Sequence, residues 1–407
     1  MLVTSPATPA HALLLERIDE RGVRLLEGAG WEVVAENRAL DEDELAARIR
    51  GVQVLGIRSK TELTSQVLAN APELVAVGAF CIGTNQIDLG AASRRGIAVF
   101  NAPFSNTRSV VELVIAEIIS LYRRLPGKTA AMHAGVWDKS AAGSHEIRGR
   151  TLGIVGYGKI GSQLSVLAEN LGLRVVFYDI QDRLALGNAR ACPSLDELLQ
   201  EADVVTLHVD GRPGNSGLFG ERELSLMREG SLFLNLSRGF VVDHEALRRH
   251  LLSGHLVGAA IDVFPAEPGG QGDPFCSSLR GLDNVILTPH IGGSTEEAQR
   301  DIGDFVAAKL RDFVASGTTA LSVNLPELIP APKDRCQRLA HVHANVPGVL
   351  AKVDGILAAA GVNIEGQLLG TRGELGYAIT DVGSETGDRA LQELERLEET
   401  IRLRVVR

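Results

Sequence analysis

The stretch "TLGIVGYGKIGSQLSVLAENLGLRVVFYDI", residues 151–180, restricts the fold more than any other part of the chain. A short apolar strand pattern ends at Val155 and runs into Gly156, Gly158 and Gly161. A helical pattern follows at once, then a second strand pattern, "RVVFY", that closes on Asp179. Gly156 permits a tight turn, Gly158 lets backbone approach a diphosphate, and Gly161 lets helix and strand pack closely. The opening amides of the helix, those of Lys159 and Ile160, then face the diphosphate. A carboxylate at the position of Asp179 accepts hydrogen bonds from both adenosine ribose hydroxyls and repels a 2′-phosphate. Ile180 and Gln181 follow with no arginine beside them, so NAD is expected rather than NADP.

Elsewhere short apolar runs alternate with helix-period segments, which argues for βα units and largely parallel sheets. The chain has 407 residues, enough for two to four domains, and 45% hydrophobic content supports several cores. Net charge is −10, which argues against nucleic acid and anionic membranes as partners. Cys81, Cys192, Cys276 and Cys336 are scattered, so neither a disulfide framework nor a metal site is expected. The first residues lack a basic, apolar leader, and no run of about 18 apolar residues occurs. A cytoplasmic protein is the expectation.

Three side chains stand where apolar runs end. Arg238 follows "SLFLNLS", Glu267 lies in "AIDVFPAEP", and His290 lies in "VILTPHIGGST". Each alone also has a plain structural reading. Together they match an alcohol–ketone conversion: a guanidinium grips a carboxylate in bidentate fashion, a histidine moves the hydroxyl proton, and a carboxylate stabilises the imidazolium. In doubly wound sheets the ligand crevice lies at these carboxyl ends.

In its order of glycine loop, "SRG", "DVFPAEP" and "TPHIGGST", the chain resembles the D-isomer-specific 2-hydroxyacid dehydrogenases. The resemblance implies substrate binding by Arg238, support by Glu267 and acid/base duty for His290. It also implies a split α/β fold. A Rossmann-type NAD domain (104–290) is inserted in a flavodoxin-like substrate domain (1–103 and 291–326). Asp262 is placed with the cofactor contacts, alongside Gly156, Gly158, Lys159, Ile160, Gly161 and Asp179. "GIRSK" and "FSNTRS" sit where the family binds substrate anions, so Arg58, Lys60 and Asn106 are expected there. The family commonly has arginine at the place of Lys60; lysine keeps the charge but loses the bidentate geometry. Trp137, in "GVWDK", falls in a segment the family uses at a subunit contact.

After a proline-rich linker (327–334), residues 335–407 read as strand–helix–strand–strand–helix–strand, a ferredoxin-like βαββαβ unit. "HVHANVPGVLAKVDGILAAAGVNI" resembles an ACT domain. That implies L-serine as effector, engaged by His343 and Asn345 of one subunit and Asn363 of its partner. The whole resemblance implies NAD-dependent oxidation of 3-phospho-D-glycerate by a homo-oligomer, taken as a tetramer. Two alternatives stand beside it: a glyoxylate/hydroxypyruvate or D-lactate type dehydrogenase, and a non-catalytic NAD-sensing binding protein.

Overall fold

The short apolar runs form strands in a computed structural model of the chain, which describes residues 3–4, 10–268, 272–332, 337–383 and 386–406. The strands in chain order are β1 (Val3–Thr4), β2 (His11–Leu14), β3 (Glu32–Ala35), β4 (Val54–Ile57), β5 (Ala76–Ala79), β6 (Ala98–Asn101), β7 (Thr151–Val155) and β8 (Arg174–Tyr178). They continue with β9 (Arg190–Ala191), β10 (Val204–Leu207), β11 (Ser231–Asn235), β12 (Leu256–Ile261), β13 (Val285–Leu287), β14 (Gln337–Ala344), β15 (Ile364–Arg372), β16 (Leu375–Val382) and β17 (Thr400–Val406).

The chain divides into two compact units, one of Met1–Ser105 with Gln299–Arg407 and one of Asn106–Ala298. The second holds a sheet of order β13-β12-β11-β10-β7-β8-β9, parallel throughout. Apart from the short edge strand β9, its strands are largely apolar on both faces, as a sheet covered by helices on each side requires. Val155, Phe233 and Ile261 pack into one layer, while Ile154, Leu234 and Ala260 pack into the other. Sequence order reverses between β7 and β10, which makes their carboxyl ends the ligand crevice of such a fold.

The first unit contains two sheets. β3-β2-β4-β5-β6 is parallel, in the flavodoxin-like order. The other is the ferredoxin-like sheet β17-β14-β16-β15, whose outer strand β17 is extended by β1 in parallel register. Alternation along β14 gives this sheet two apolar faces. Leu339 packs with Val353, Leu357 and Leu403 under the sheet's own helices. Ala340 and Val342 join Phe100, Val306 and Phe313, so the ACT-like module and the flavodoxin-like layer share a core. Polar bonds reinforce that face. The end of the helix Glu296–Ser316 and the residue after it are gripped by Arg338, which donates to the Ser316 carbonyl at 3.0 Å, and by Tyr377, which donates to Gly317 at 2.6 Å. These bonds satisfy carbonyls that a helix end leaves orphaned.

In the linker expected at 327–334, Leu328 is tied to Thr319 by backbone and hydroxyl bonds. Residues 333 and 334, like Cys336, lie outside the described residues.

Candidate active site

The glycine loop joins β7 to the helix Lys159–Asn170. Gly156 takes φ +93°, and a Cβ there would stand 2.6 Å from the carbonyl oxygen of His208, so only glycine closes this turn. A Cβ on Gly158 would meet nothing within 4 Å. The space above it is open at the helix start, where Lys159 and Ile160 precede the first helical bond from Ser162 N to Gly158 O. An anionic diphosphate fits that space and that field.

Asp179 has a second duty that the sequence does not announce. Its Oδ2 accepts from Tyr157 N at 2.8 Å and its Oδ1 from Gln181 N at 2.9 Å, so it braces the loop. Arg183, four residues on, approaches its Oδ2 at 3.5 Å. The absence of arginine at 180 and 181 therefore describes only the adjacent positions.

Arg238, Glu267 and His290 follow β11, β12 and β13. His290 Nδ1 lies 2.8 Å from Glu267 Oε2. The hydrogen bond with Glu267 is the main cause that raises His290 above the ordinary histidine value; burial and the Arg238 charge oppose it. Burial pushes Glu267 up, but its bonds and charge pairing with His290 prevail and hold it below the usual carboxylate range. Since an ionised carboxylate only accepts, Nδ1 carries the proton, which leaves Nε2 as the unprotonated nitrogen of the neutral ring. Arg238 is half-buried and donates through Nη1 to the Ser237 carbonyl at 2.7 Å. Gly239 lies so close to the Phe264 carbonyl that any Cβ would overlap it, which draws the arginine's turn against the segment leading to Glu267.

His290 itself has φ +54°, an uncommon backbone for a non-glycine residue. Asp262 holds it there. Asp262 Oδ1 accepts from Thr288 Oγ1 at 2.6 Å and Ile291 N at 2.8 Å, and Oδ2 accepts from Gly292 N at 2.8 Å. Asp262, expected from the sequence among the cofactor contacts, is 1% exposed and directs both oxygens to the histidine loop. Asn106 packs its amide against Gly293 of the same loop, with its Oδ1 buried and lacking a partner among the described residues.

Sequence reasoning missed Glu117, which looks like one more polar residue on the helix Thr107–Tyr122. It is 3% exposed, neither carboxyl oxygen has a partner among the described residues, and it shares a surface cavity with Thr288. Burial, then the nearby Asp262 charge, pushes it up to about 8.

In the other unit, Arg58 and Lys60 follow β4. Arg58 is half-buried and Lys60 exposed, and neither side chain is in an ion pair among the described residues. In the ACT-like module, Asn345 and Asn363 are exposed. His343 is 3% exposed, its Nδ1 is 2.8 Å from the Ala344 carbonyl, and its Nε2 has no partner among the described residues.

Comparison with known proteins agrees with this arrangement. Residues 115–292 match the family described as D-isomer specific 2-hydroxyacid dehydrogenase, NAD binding domain, and residues 339–402 match an AHAS small subunit-like ACT domain. The chain is 50% identical over 397 residues to D-3-phosphoglycerate dehydrogenase of Escherichia coli K12, covering 97% of each. It is 49% identical over 395 residues to the D-3-phosphoglycerate dehydrogenase of Haemophilus influenzae, covering 97% of this chain and 96% of that one. Among solved structures, D-lactate dehydrogenase from Aquifex aeolicus, complexed with NAD and lactic acid, superposes with a TM-score of 0.68 at 26% identity, covering 78% of this chain and 100% of the other. With the histidine–glutamate pair, the glycine loop and near full-length relatives all in agreement, the chain belongs to the D-isomer specific 2-hydroxyacid dehydrogenase family.

Proposed function

We propose that this protein oxidises 3-phospho-D-glycerate to 3-phosphohydroxypyruvate with NAD as acceptor, the first step of L-serine biosynthesis. One observation carries the reading: a histidine base held at 2.8 Å by an ionised glutamate beside an arginine, in a chain whose relatives of matching length are D-3-phosphoglycerate dehydrogenases. NAD, when bound, supplies the hydride acceptor. Gly156, Gly158, Lys159, Ile160, Gly161 and Asp179 would hold it. His290 Nε2 takes the C2 hydroxyl proton. Glu267 stabilises the imidazolium that results, and Arg238 orients the substrate carboxylate and polarises the C2 oxygen. Arg58 and Lys60 bind the remaining anionic charge, and Asn106 is a further substrate contact. A carboxylate such as Asp262, already occupied by three donors, contributes by fixing the base.

L-serine is the proposed effector at the ACT module, bound by His343, Asn345 and the partner's Asn363. The buried, unsatisfied Nε2 of His343 supports this, since such a group costs free energy until a ligand satisfies it. Inhibition requires serine to bind one conformation of the protein more tightly than another. A homotetramer is the proposed assembly. The helix Leu125–His133 has no buried residue, and Leu125, Met132, Val136 and Trp137 are exposed around it, which suits a subunit contact. No described helix is long and apolar enough to cross a membrane, which accords with the proposed cytoplasmic location.

Initial rates with 3-phosphoglycerate, D-lactate, glycerate and NAD, with and without L-serine, test the reading. Preference for the phosphorylated substrate and inhibition by serine are expected. Equal rates on D-lactate would overturn the substrate assignment. Asn363→Ala is expected to weaken serine inhibition at unchanged turnover, and unaltered serine sensitivity would remove the effector site.

A further inference from the structure

Glu16 lies just beyond β2, where no motif marks it. Glu16 and Arg17 take φ of +66° and +54°, a left-handed pair at the carboxyl end of a strand. Their amides bond to the carbonyls of Arg38 and Glu36 at 3.1 and 3.2 Å, which fixes the turn. Side-chain-bearing residues adopt this backbone at a cost, and such positions cluster where a site must be held. Here the turn drives the Glu16 side chain inward: the residue is 8% exposed. Its Oε1 accepts from Arg58 N at 3.1 Å and Thr61 N at 2.9 Å, and its Oε2 from Lys60 N at 3.0 Å. From the other side Gln86 donates its side-chain amide to the Arg58 carbonyl. Converging backbone amides ordinarily form a nest for an external anion. In this turn the chain fills its own nest, with Arg58 half-buried and Lys60 exposed.

We infer that Glu16 is a positioning residue for substrate recognition: its carboxylate fixes the Arg58–Thr61 turn so that Arg58 and Lys60 meet the substrate's anionic groups. The inference rests on the reading of Arg58 and Lys60 as the anion grip. Glu16 makes no ion pair with either side chain among the described residues, so their charge is not consumed. It works by geometry through the backbone.

The experiment compares Glu16→Gln, Glu16→Asp, Arg58→Ala and the double variant in steady-state kinetics with the full-length protein. Glutamine keeps the shape but turns an NH2 group on at least one backbone N–H, where donor meets donor. Glu16→Gln is expected to raise KM for 3-phosphoglycerate about tenfold, with kcat within about twofold and KM for NAD unchanged. A loss of folded protein would lower kcat and leave KM alone, so the split separates positioning from general destabilisation. Glu16→Asp retains the charge but is one methylene short, and an intermediate KM is expected. Because Glu16 acts through Arg58 and Lys60 together, Glu16→Gln should add less in an Arg58→Ala background than it does alone. If Arg58→Ala raises KM and neither Glu16 variant does, or if the double variant is fully additive, the positioning role is overturned. If Arg58→Ala itself leaves KM unchanged, the anion-grip reading falls, and the inference falls with it.

Discussion

Asp262 and Glu16 lie in different compact units, and each turns a buried carboxylate on the amides of a loop that carries functional side chains. The two differ in what they hold. Asp262 binds the loop of His290, adds a negative charge near that imidazole, and so acts on both the geometry and the protonation of the proposed base. Glu16 binds only the backbone amides of its turn, and in its proposed role it acts on geometry alone. The difference teaches that one device, an internal anion in a backbone nest, can serve the reaction rate in one place and affinity in another. Substitutions at the first should appear mainly in kcat and its pH dependence, and at the second in KM.

The largest expected effect comes from removing what the Asp262 loop carries. His290→Ala should lower kcat by roughly 10²- to 10⁴-fold, the range for a lost acid/base, with NADH binding by fluorescence titration retained. Near-normal turnover would mean that Asp262 braces a loop without a base. Asp262→Asn comes next. One accepting oxygen becomes an NH2 group facing backbone donors, and a charge that raises His290 is lost. A fall in kcat of about 10- to 100-fold is expected, with the acid limb of the rate profile moved to lower pH. A change confined to KM would erase the contrast with Glu16.

Glu267→Gln sharpens the same point. Oxidation needs neutral His290, so kcat/KM should rise with pH through a value above the ordinary 6.5. Without the glutamate carboxylate that limb should move down toward 6.5 while the plateau drops, as a pH–rate profile would record. An unmoved limb would assign it to another group.

Glu117→Gln should disturb turnover least and stability most visibly. The folded protein keeps this proton up to about 8, whereas the unfolded chain releases it near 4.5. The folded state therefore binds more protons across that window, and stability falls as pH rises through it. Glutamine does not titrate. Its advantage should be absent below pH 4.5 and amount to about 3 kcal/mol at pH 7, as an order of magnitude, in denaturant titrations at both pH values. A pH-independent difference would contradict a buried neutral acid.

The legible parts of this molecule were those whose physics is local. The glycine loop is written in adjacent residues, and β7, β8 and β10–β13 are apolar runs that few other structures could bury. His290 and Arg238 were visible because each ends such a run. Glu16 was not, since its partners lie 42 to 45 positions away and nothing nearby distinguishes it from a surface glutamate. Asp262 was expected among the cofactor contacts, and its three donors, from a loop 26 to 30 residues on, were not visible. Glu117 reads as the polar residue of an apolar helix, and only tertiary packing shows that it is buried without a partner among the described residues. A carboxylate that serves another loop leaves no local trace, because its spacing is set by topology and not by the period of a helix or strand.

The pairing of β1 with β17 carries a consequence for how the chain is made. Val3 aligns with Arg404 and Thr4 with Val405, so the outermost strand of the C-terminal sheet comes from the opposite end of the polypeptide. During synthesis Val3 and Thr4 emerge before β17 and must wait until all the chain between them has been made. Contacts of such sequence separation are slow to form, because the loop they close runs from Val3 to Arg404. The edge of this sheet is thus covered through a contact of very long sequence separation, and a chain lacking β1 would leave β17 as the edge.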